Sequence, residues 1–410
     1  MAEVKAFQGF RPRADLVDRV AALPYDVYNR NEAKLEVERE PLSFLRVDRA
    51  ETQFADDFDM YSPAVYQKAK ELLDSMIQDG IYVQEKKEVY YIYELTMDGR
   101  SQVGIVACAS IDDYQNNVIK KHENTREEKE LDRIRHVDTC NAQTGPIFLA
   151  YRAKEEIDSV VNRIRTMAPV YRFTSPDGIG HAVWVIEQDE DIRQIREGFQ
   201  QIDCIYIADG HHRAASAVKV GLKRRAEHPN YDGTEEFNYF LSVLFPHDQL
   251  MILPYNRVIK DLAGMTEEEF LSRLRESFDV NVSEQPVSPA KKAEFGMYLN
   301  GKWYELKAHA DLLREDPVEG LDVSILQREV FEKLLNISDP RTDVRIDFVG
   351  GIRGLKELER RANSDMCLAF SMYPTSILEL FQVSDAGRLM PPKSTWFEPK
   401  LRSGIFIHQL

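Results

Sequence analysis

The run Cys204-Ile205-Tyr206-Ile207-Ala208 is apolar throughout, and only Asp209-Gly210 separates it from a stretch that reads as a helix. A short apolar run rich in β-branched residues predicts a buried strand. A glycine at its end lets the backbone turn sharply. The chain must therefore contain a strand that feeds straight into a helix, and such units pack as sheets covered by helices. The rest of the chain points the same way. A strand over 182–186 precedes a helix over 191–200, and further strands are expected over 237–245 and 249–259. Ser62-Pro63 combines a serine cap with a first-turn proline. Val65, Ala69, Leu72, Leu73, Met76 and Ile77 then line one helix face up to Asp79-Gly80. Strands over 88–96 and 101–111 flank a hairpin turn at Asp98-Gly99. Towards the end, Thr266 and Glu269 form a capping box, and 295–307 is a hairpin around Asn300-Gly301. Helices over 324–335 and 354–362 alternate with strands over 344–349 and 366–372. The expected fold class is α/β, with mixed (α+β) sheets.

No stretch approaches the ~18 apolar residues of a membrane span. Met1-Ala2-Glu3-Val4-Lys5-Ala6 lacks the basic and apolar blocks of a secretion signal. Cys108, Cys140, Cys204 and Cys367 are too scattered for a disulfide framework or a metal clamp, which fits a reducing compartment. The expected location is cytoplasmic. The formal net charge is −16, and Lys120-Lys121-His122 and Lys223-Arg224-Arg225 are the longest basic clusters. Binding to nucleic acid draws on basic surface that displaces counterions, so small-molecule chemistry is favoured. Neither nucleic acid nor a membrane is an expected partner.

His211, His212 and Arg213 fall in the first turn of the helix after Gly210. The unpaired N–H groups and the dipole make that end an anion site. Cations there cost roughly 0.3–1 kcal/mol each when nothing negative is bound. A bound phosphate reverses the sign, and Arg213 offers it forked donors. The plainer alternative makes Asp209 a simple cap and leaves the histidines on a solvated face. Zinc is disfavoured, because adjacent residues project apart on a helix and the i, i+4 histidine spacing is absent.

A second cluster, Lys120-Lys121-His122-Glu123-Asn124-Thr125, leads into a helix with Thr125 and Glu128 as a capping pair. Glu123 stands just outside that helix among cations, placed to take a proton from a hydroxyl. A loop glutamate satisfied by Lys120 or Lys121 is the alternative. There is no G-x-x-x-x-G-K-[ST] loop, no G-x-G-x-x-G fingerprint and no kinase catalytic-loop signature.

The turn Asp209-Gly210-His211-His212-Arg213, with His122-Glu123 upstream, resembles the ParB/sulfiredoxin-like free serine kinases of the SerK and SbnI types. The whole chain looks like their large bacterial relatives of domain-of-unknown-function type. The shared marks include Phe10-Arg11-Pro12, Pro24-Tyr25-Asp26-Val27, Ser43-Phe44-Leu45 and Gln143-Thr144-Gly145-Pro146-Ile147. Leu253-Pro254-Tyr255-Asn256-Arg257 and Met390-Pro391-Pro392-Lys393-Ser394-Thr395 continue them, while Leu23 replaces a proline of the family pattern.

The resemblance implies a nucleotide-dependent kinase that uses ATP or ADP with Mg²⁺ and makes O-phospho-L-serine from free L-serine. It implies Glu123 as the catalytic base and Asp209 as the acidic residue that helps hold magnesium or substrate. Gly210, His211, His212 and Arg213 would cradle phosphate, with Arg213 and a histidine such as His212 neutralising developing charge. Lys393, Ser394 and Thr395 are added as further phosphate donors; a loop entering a terminal strand is the alternative for them. It also implies a ParB/sulfiredoxin-like nucleotide-binding core over 113–260, between α/β regions at 1–112 and 261–410. His211 stands where sulfiredoxins carry their cysteine, so thiol chemistry is not expected. A nucleotide-sensing regulator of the same fold, or a slow nucleotide hydrolase, are the rival expectations.

Overall fold

The computed structural model describes residues 1–125 and 127–410. Among them the architecture is mixed α/β with several sheets. Contacts divide the chain into two units, Met1–Leu250 with Pro399–Leu410, and Met251–Glu398. The sequence reading divides it at 112/113 and 260/261. Contacts follow sheet membership instead, because strands on both sides of residue 112 pair with one another.

Among the described residues the first unit is built on a nine-stranded sheet. Its strands are β1 (Val4–Lys5), β2 (Tyr90–Met97), β3 (Arg100–Ser110), β4 (Ile119–Lys120), β5 (Ile147–Tyr151), β6 (Tyr171–Thr174), β7 (Gly180–Ile186), β8 (Ile205–Asp209) and β9 (Tyr239–Pro246). They lie in the order β4-β8-β5-β9-β3-β2-β7-β6, with β1 added on β3. β2 and β3 form the hairpin expected around Asp98-Gly99, whose φ angles of 51° and 78° suit a two-residue turn. β4 and β8 are parallel, with Ile119 opposite Ile205 and Lys120 opposite Tyr206. Their carboxyl ends therefore emerge on one side of the sheet.

Five longer helices accompany it: α1 (Pro63–Gln78), α2 (Glu127–Cys140), α3 (Glu155–Arg165), α4 (Asp189–Gln200) and α5 (His211–Glu227). α1 begins as expected, with the Ser62 hydroxyl accepting from the Ala64 amide at 3.4 Å. α3 and α4 bury Ile157, Val160, Ile195 and Phe199 against Tyr90, Ile92 and Trp184 of the sheet. Each such side chain contributes roughly 1.5–3 kcal/mol when fully buried. α2 and α5 pack on each other, and Arg224 pairs with Asp138 at 3.1 Å. Gly221 permits α5 to press close, since a Cβ there would lie 2.4 Å from the Phe237 carbonyl oxygen. The final residues return to this unit, Ser403 bridging to Ala22 and Ile407 to Phe10.

The second unit carries an antiparallel sheet of β10 (Tyr255–Ile259), β11 (Phe278–Ser283), β12 (Glu294–Leu299), β13 (Lys302–Ala308), β14 (Ile346–Gly350) and β15 (Leu368–Met372). The order is β11-β13-β12-β15-β10-β14. The Thr266–Glu269 capping box and the Asn300-Gly301 hairpin form as expected. The strand expected over 249–259 is interrupted at Pro254, which has no N–H to donate; Ile252–Leu253 pairs with Trp396–Phe397 instead. The helix expected over 324–335 begins at Asp322 and widens into a π-helix over Gln327–Glu332. No described helix is long and apolar enough to cross a membrane.

Candidate functional site

The strand, turn and helix stand where the sequence puts them. Between Ile207 and Asp209 the pairing of β8 with β5 slips by one residue, which leaves Ala208 extra and sets Asp209 opposite Phe148. A bulge of this kind re-aims the side chain that follows it. Gly210 then adopts φ 94° and ψ 30°, the left-handed region that favours glycine, and α5 begins at His211. Arg213 folds back over this turn, so that a Cβ on Gly210 would meet its guanidinium at 3.1–3.3 Å. Arg213 Nη1 donates to the Pro146 carbonyl at 2.6 Å. Gly145 is close-fitting too, its virtual Cβ 3.1 Å from Ser403 Oγ and 3.6 Å from Arg213 Nη1.

Asp209 Oδ2 accepts from Lys400 Nζ at 2.9 Å, and the Asp209 side chain keeps 36% of its exposure. Burial pushes this carboxyl up, but Lys400 and Arg213 more than offset it and hold the group well below the usual carboxylate range. An ionised carboxylate thus sits at the mouth of a helix N-terminus, already balanced by two cations.

The two clusters expected from sequence meet. β4 delivers His122 and β8 delivers His211, and their rings lie 4.5 Å apart at 82°. Both are buried. Burial pushes His122 down to about 4, although the Ile207 backbone and Asp209 favour its proton. Burial, reinforced by His122, holds His211 well below the ordinary histidine value. Both imidazoles are therefore neutral near pH 7. Glu123 is exposed beside them, with a ligand oxygen within 4.8 Å of a ring nitrogen on each. The sequence offered no such histidine pair, because it joins residues 89 positions apart through parallel strands. His212, half-buried, accepts the Ser216 hydroxyl on its backbone oxygen at 2.7 Å. The Thr125 hydroxyl, expected to pair with Glu128 in a capping box, donates to Glu130, and residue 126 lies outside the described residues.

Beside Arg213 lies a small cavity of about 30 Å³, lined by Tyr25, Asp48, Arg133, Gln143 and Gly145 among others. The buried Arg133 guanidinium lies over the Tyr25 ring at 4.0 Å and pairs with Asp132 at 2.8 Å. Asp48 Oδ1 accepts from Thr144 Oγ1 at 2.9 Å. The segments 24–27 and 143–147, distant in sequence, thus wall one cavity. Sequence reasoning missed Lys400 and Arg133. The acidic partner of each lies outside its local pattern or is one of several nearby carboxylates, so no spacing marks them. Lys393, Ser394 and Thr395 belong to the second unit. There Ser394 Oγ donates to the Pro391 carbonyl at 2.6 Å, and Lys393 Nζ lies 5.5 Å from the Tyr255 ring centroid.

A family model described as "Protein of unknown function (DUF1015)" matches residues 4–324. No curated protein matches the chain. Among solved structures, a mutant free serine kinase in complex with ADP is 14% identical, covering 72% of this chain and 87% of its own, with a TM-score of 0.34. SbnI with a C-terminal truncation, from Staphylococcus aureus, is 12% identical over 72% of this chain and 82% of its own, with a TM-score of 0.37. A conserved hypothetical protein from Pyrococcus furiosus is 15% identical over 73% of this chain and 93% of its own, with a TM-score of 0.33. All three are distant likenesses.

Proposed function

The chain belongs to the DUF1015 family of proteins of unknown function, and from its site we propose a nucleotide-dependent phosphotransferase that acts on a small hydroxyl substrate, free L-serine first among them. The observation that carries this reading is the Asp209–Arg213 turn. A left-handed glycine opens a 17-residue helix, and an arginine folds over that helix's positive end. Such an end takes up phosphate. The motif resemblance to the ParB/sulfiredoxin-like free serine kinases supports the same assignment, with the nucleotide-binding core over 113–260.

In this proposal ATP or ADP lays its phosphates against Gly210, His211, His212 and Arg213. Glu123 takes the hydroxyl proton, and the freed oxygen attacks the terminal phosphorus as the P–O bond to the nucleotide breaks. Arg213 and His212 neutralise the charge that builds on the phosphoryl oxygens, since this chemistry is mostly positioning and electrostatics. Asp209 fits a hard cation, being an ionised oxygen donor with part of its surface open. It would hold Mg²⁺, which supplies charge neutralisation at phosphate oxygens.

The test is incubation with ATP or ADP, magnesium and a mixture of amino acids, followed by mass detection. Phosphoserine is expected. Nucleotide binding with no phosphorylated product would make the protein a sensor, and serine-independent phosphate release a hydrolase; either outcome overturns the proposal.

A further inference from the structure

The geometry points to a second, separate ion site: His122, His211 and Glu123 hold a divalent transition-metal ion, with at least one coordination position left open.

Three observations converge. His122 and His211 are 3% and 6% exposed, yet His122 Nδ1 and both ring nitrogens of His211 have no hydrogen-bond partner among the described residues. Leaving a buried polar atom unpartnered is costly, and a bound metal removes that cost at the nitrogen it takes. One ligand atom from each of the three residues lies within 4.8 Å of the others. A tetrahedral ion with bonds of about 2.1 Å needs its ligand atoms about 3.4 Å apart, which modest side-chain rotation supplies. Finally, the frame is rigid. The histidines leave the adjacent parallel strands β4 and β8, and His211 opens α5.

The donor set selects the ion. Two imidazoles and one carboxylate suit zinc, cobalt, iron or manganese, whereas magnesium and calcium take all-oxygen shells. Exposed Glu123 places the open position towards solvent. The ion differs in chemistry from the magnesium assigned to Asp209, and while it is bound Glu123 and His211 are its ligands in place of the base and phosphate-cradling roles proposed above.

The experiment is titration of the chelator-treated 410-residue chain with Co²⁺, read by calorimetry and by visible absorption. One equivalent is expected to bind at micromolar affinity or tighter, to be displaced by Zn²⁺, and to survive excess Mg²⁺. His211→Ala should weaken binding by at least about 100-fold, and Glu123→Gln, at an exposed position that spares the fold, by at least about 10-fold. Absence of Co²⁺ binding to the native chain overturns the inference, as does displacement by Mg²⁺ or unchanged affinity in Glu123→Gln. Both readouts are blind to catalysis, so a failed serine assay leaves this result standing, and the converse.

Discussion

Lys400 reaches Asp209 across 191 positions of sequence, Nζ to Oδ2 at 2.9 Å. The contact ties the returning C-terminal segment to the start of α5 and supplies the largest of the charges that keep Asp209 ionised against its burial. Lys400→Met should raise the Asp209 pKa and, by removing a cation beside the proposed phosphates, weaken nucleotide binding. It should also lower the melting temperature by a few degrees, as expected for a loss of about 1 kcal/mol in a large domain. Unchanged nucleotide affinity in this variant would separate Lys400 from the site.

Gly210→Ala places a side chain at φ 94° and 3.1–3.3 Å from the Arg213 guanidinium. Backbone strain of this sort costs on the order of 1–3 kcal/mol, and Arg213 must move. Chemical denaturation should show a loss of that size, together with at least a tenfold drop in nucleotide affinity. A stable variant with native affinity would refute the tight fit of arginine over the turn.

Arg213→Ala removes the forked donor and the 2.6 Å bond to Pro146. Nucleotide affinity should fall by about 10- to 100-fold, as for loss of a charge-assisted hydrogen bond. Arg213→Lys should recover only part of it, since an ammonium has no fork. Full recovery by lysine would mean that charge alone matters.

Glu123→Gln should abolish turnover while nucleotide affinity stays within about threefold, the signature of a group needed for the chemical step. Turnover at the native rate would remove Glu123 as the base.

Asp322 gives a pH-dependent stability in the second unit. Burial pushes its carboxyl up to about 7, although the Ala293 amide favours the charged form. A carboxyl raised in the folded state keeps a proton that the unfolded chain has released. Stability is therefore greatest below about pH 4 with respect to this group, and it declines as pH rises to about 7. Asp322→Asn keeps an oxygen for the Ala293 amide, now at 3.0 Å. It should stabilise the unit at pH 8 by on the order of 2 kcal/mol and flatten the decline. Parallel denaturation curves for the two proteins at pH 5 and pH 8 would argue against the assignment.

Much of this architecture was legible in local pattern. The β2–β3 and β12–β13 hairpins follow from Asp98-Gly99 and Asn300-Gly301, and α1 from Ser62-Pro63, because turn and cap chemistry acts within a few residues. Where local pattern misled, a competing constraint intervened. Pro254 split an apparently continuous strand, and the expected helix over 324–335 widened into a π-helix.

By itself the amino-acid order determined that a buried strand ends in Asp209-Gly210 and opens a helix with His211, His212 and Arg213 at its positive end. Backbone conformation there depends on side chains only a few bonds away. The tertiary structure alone decided that His122 faces His211, that Lys400 closes on Asp209, and that segments 24–27 and 143–147 wall one cavity. Those neighbours are chosen by strand order, by the parallel register of β4 on β8 and by the return of the last twelve residues. Such long-range pairings are set by burial summed over the whole sheet, and they leave no periodic trace in the chain.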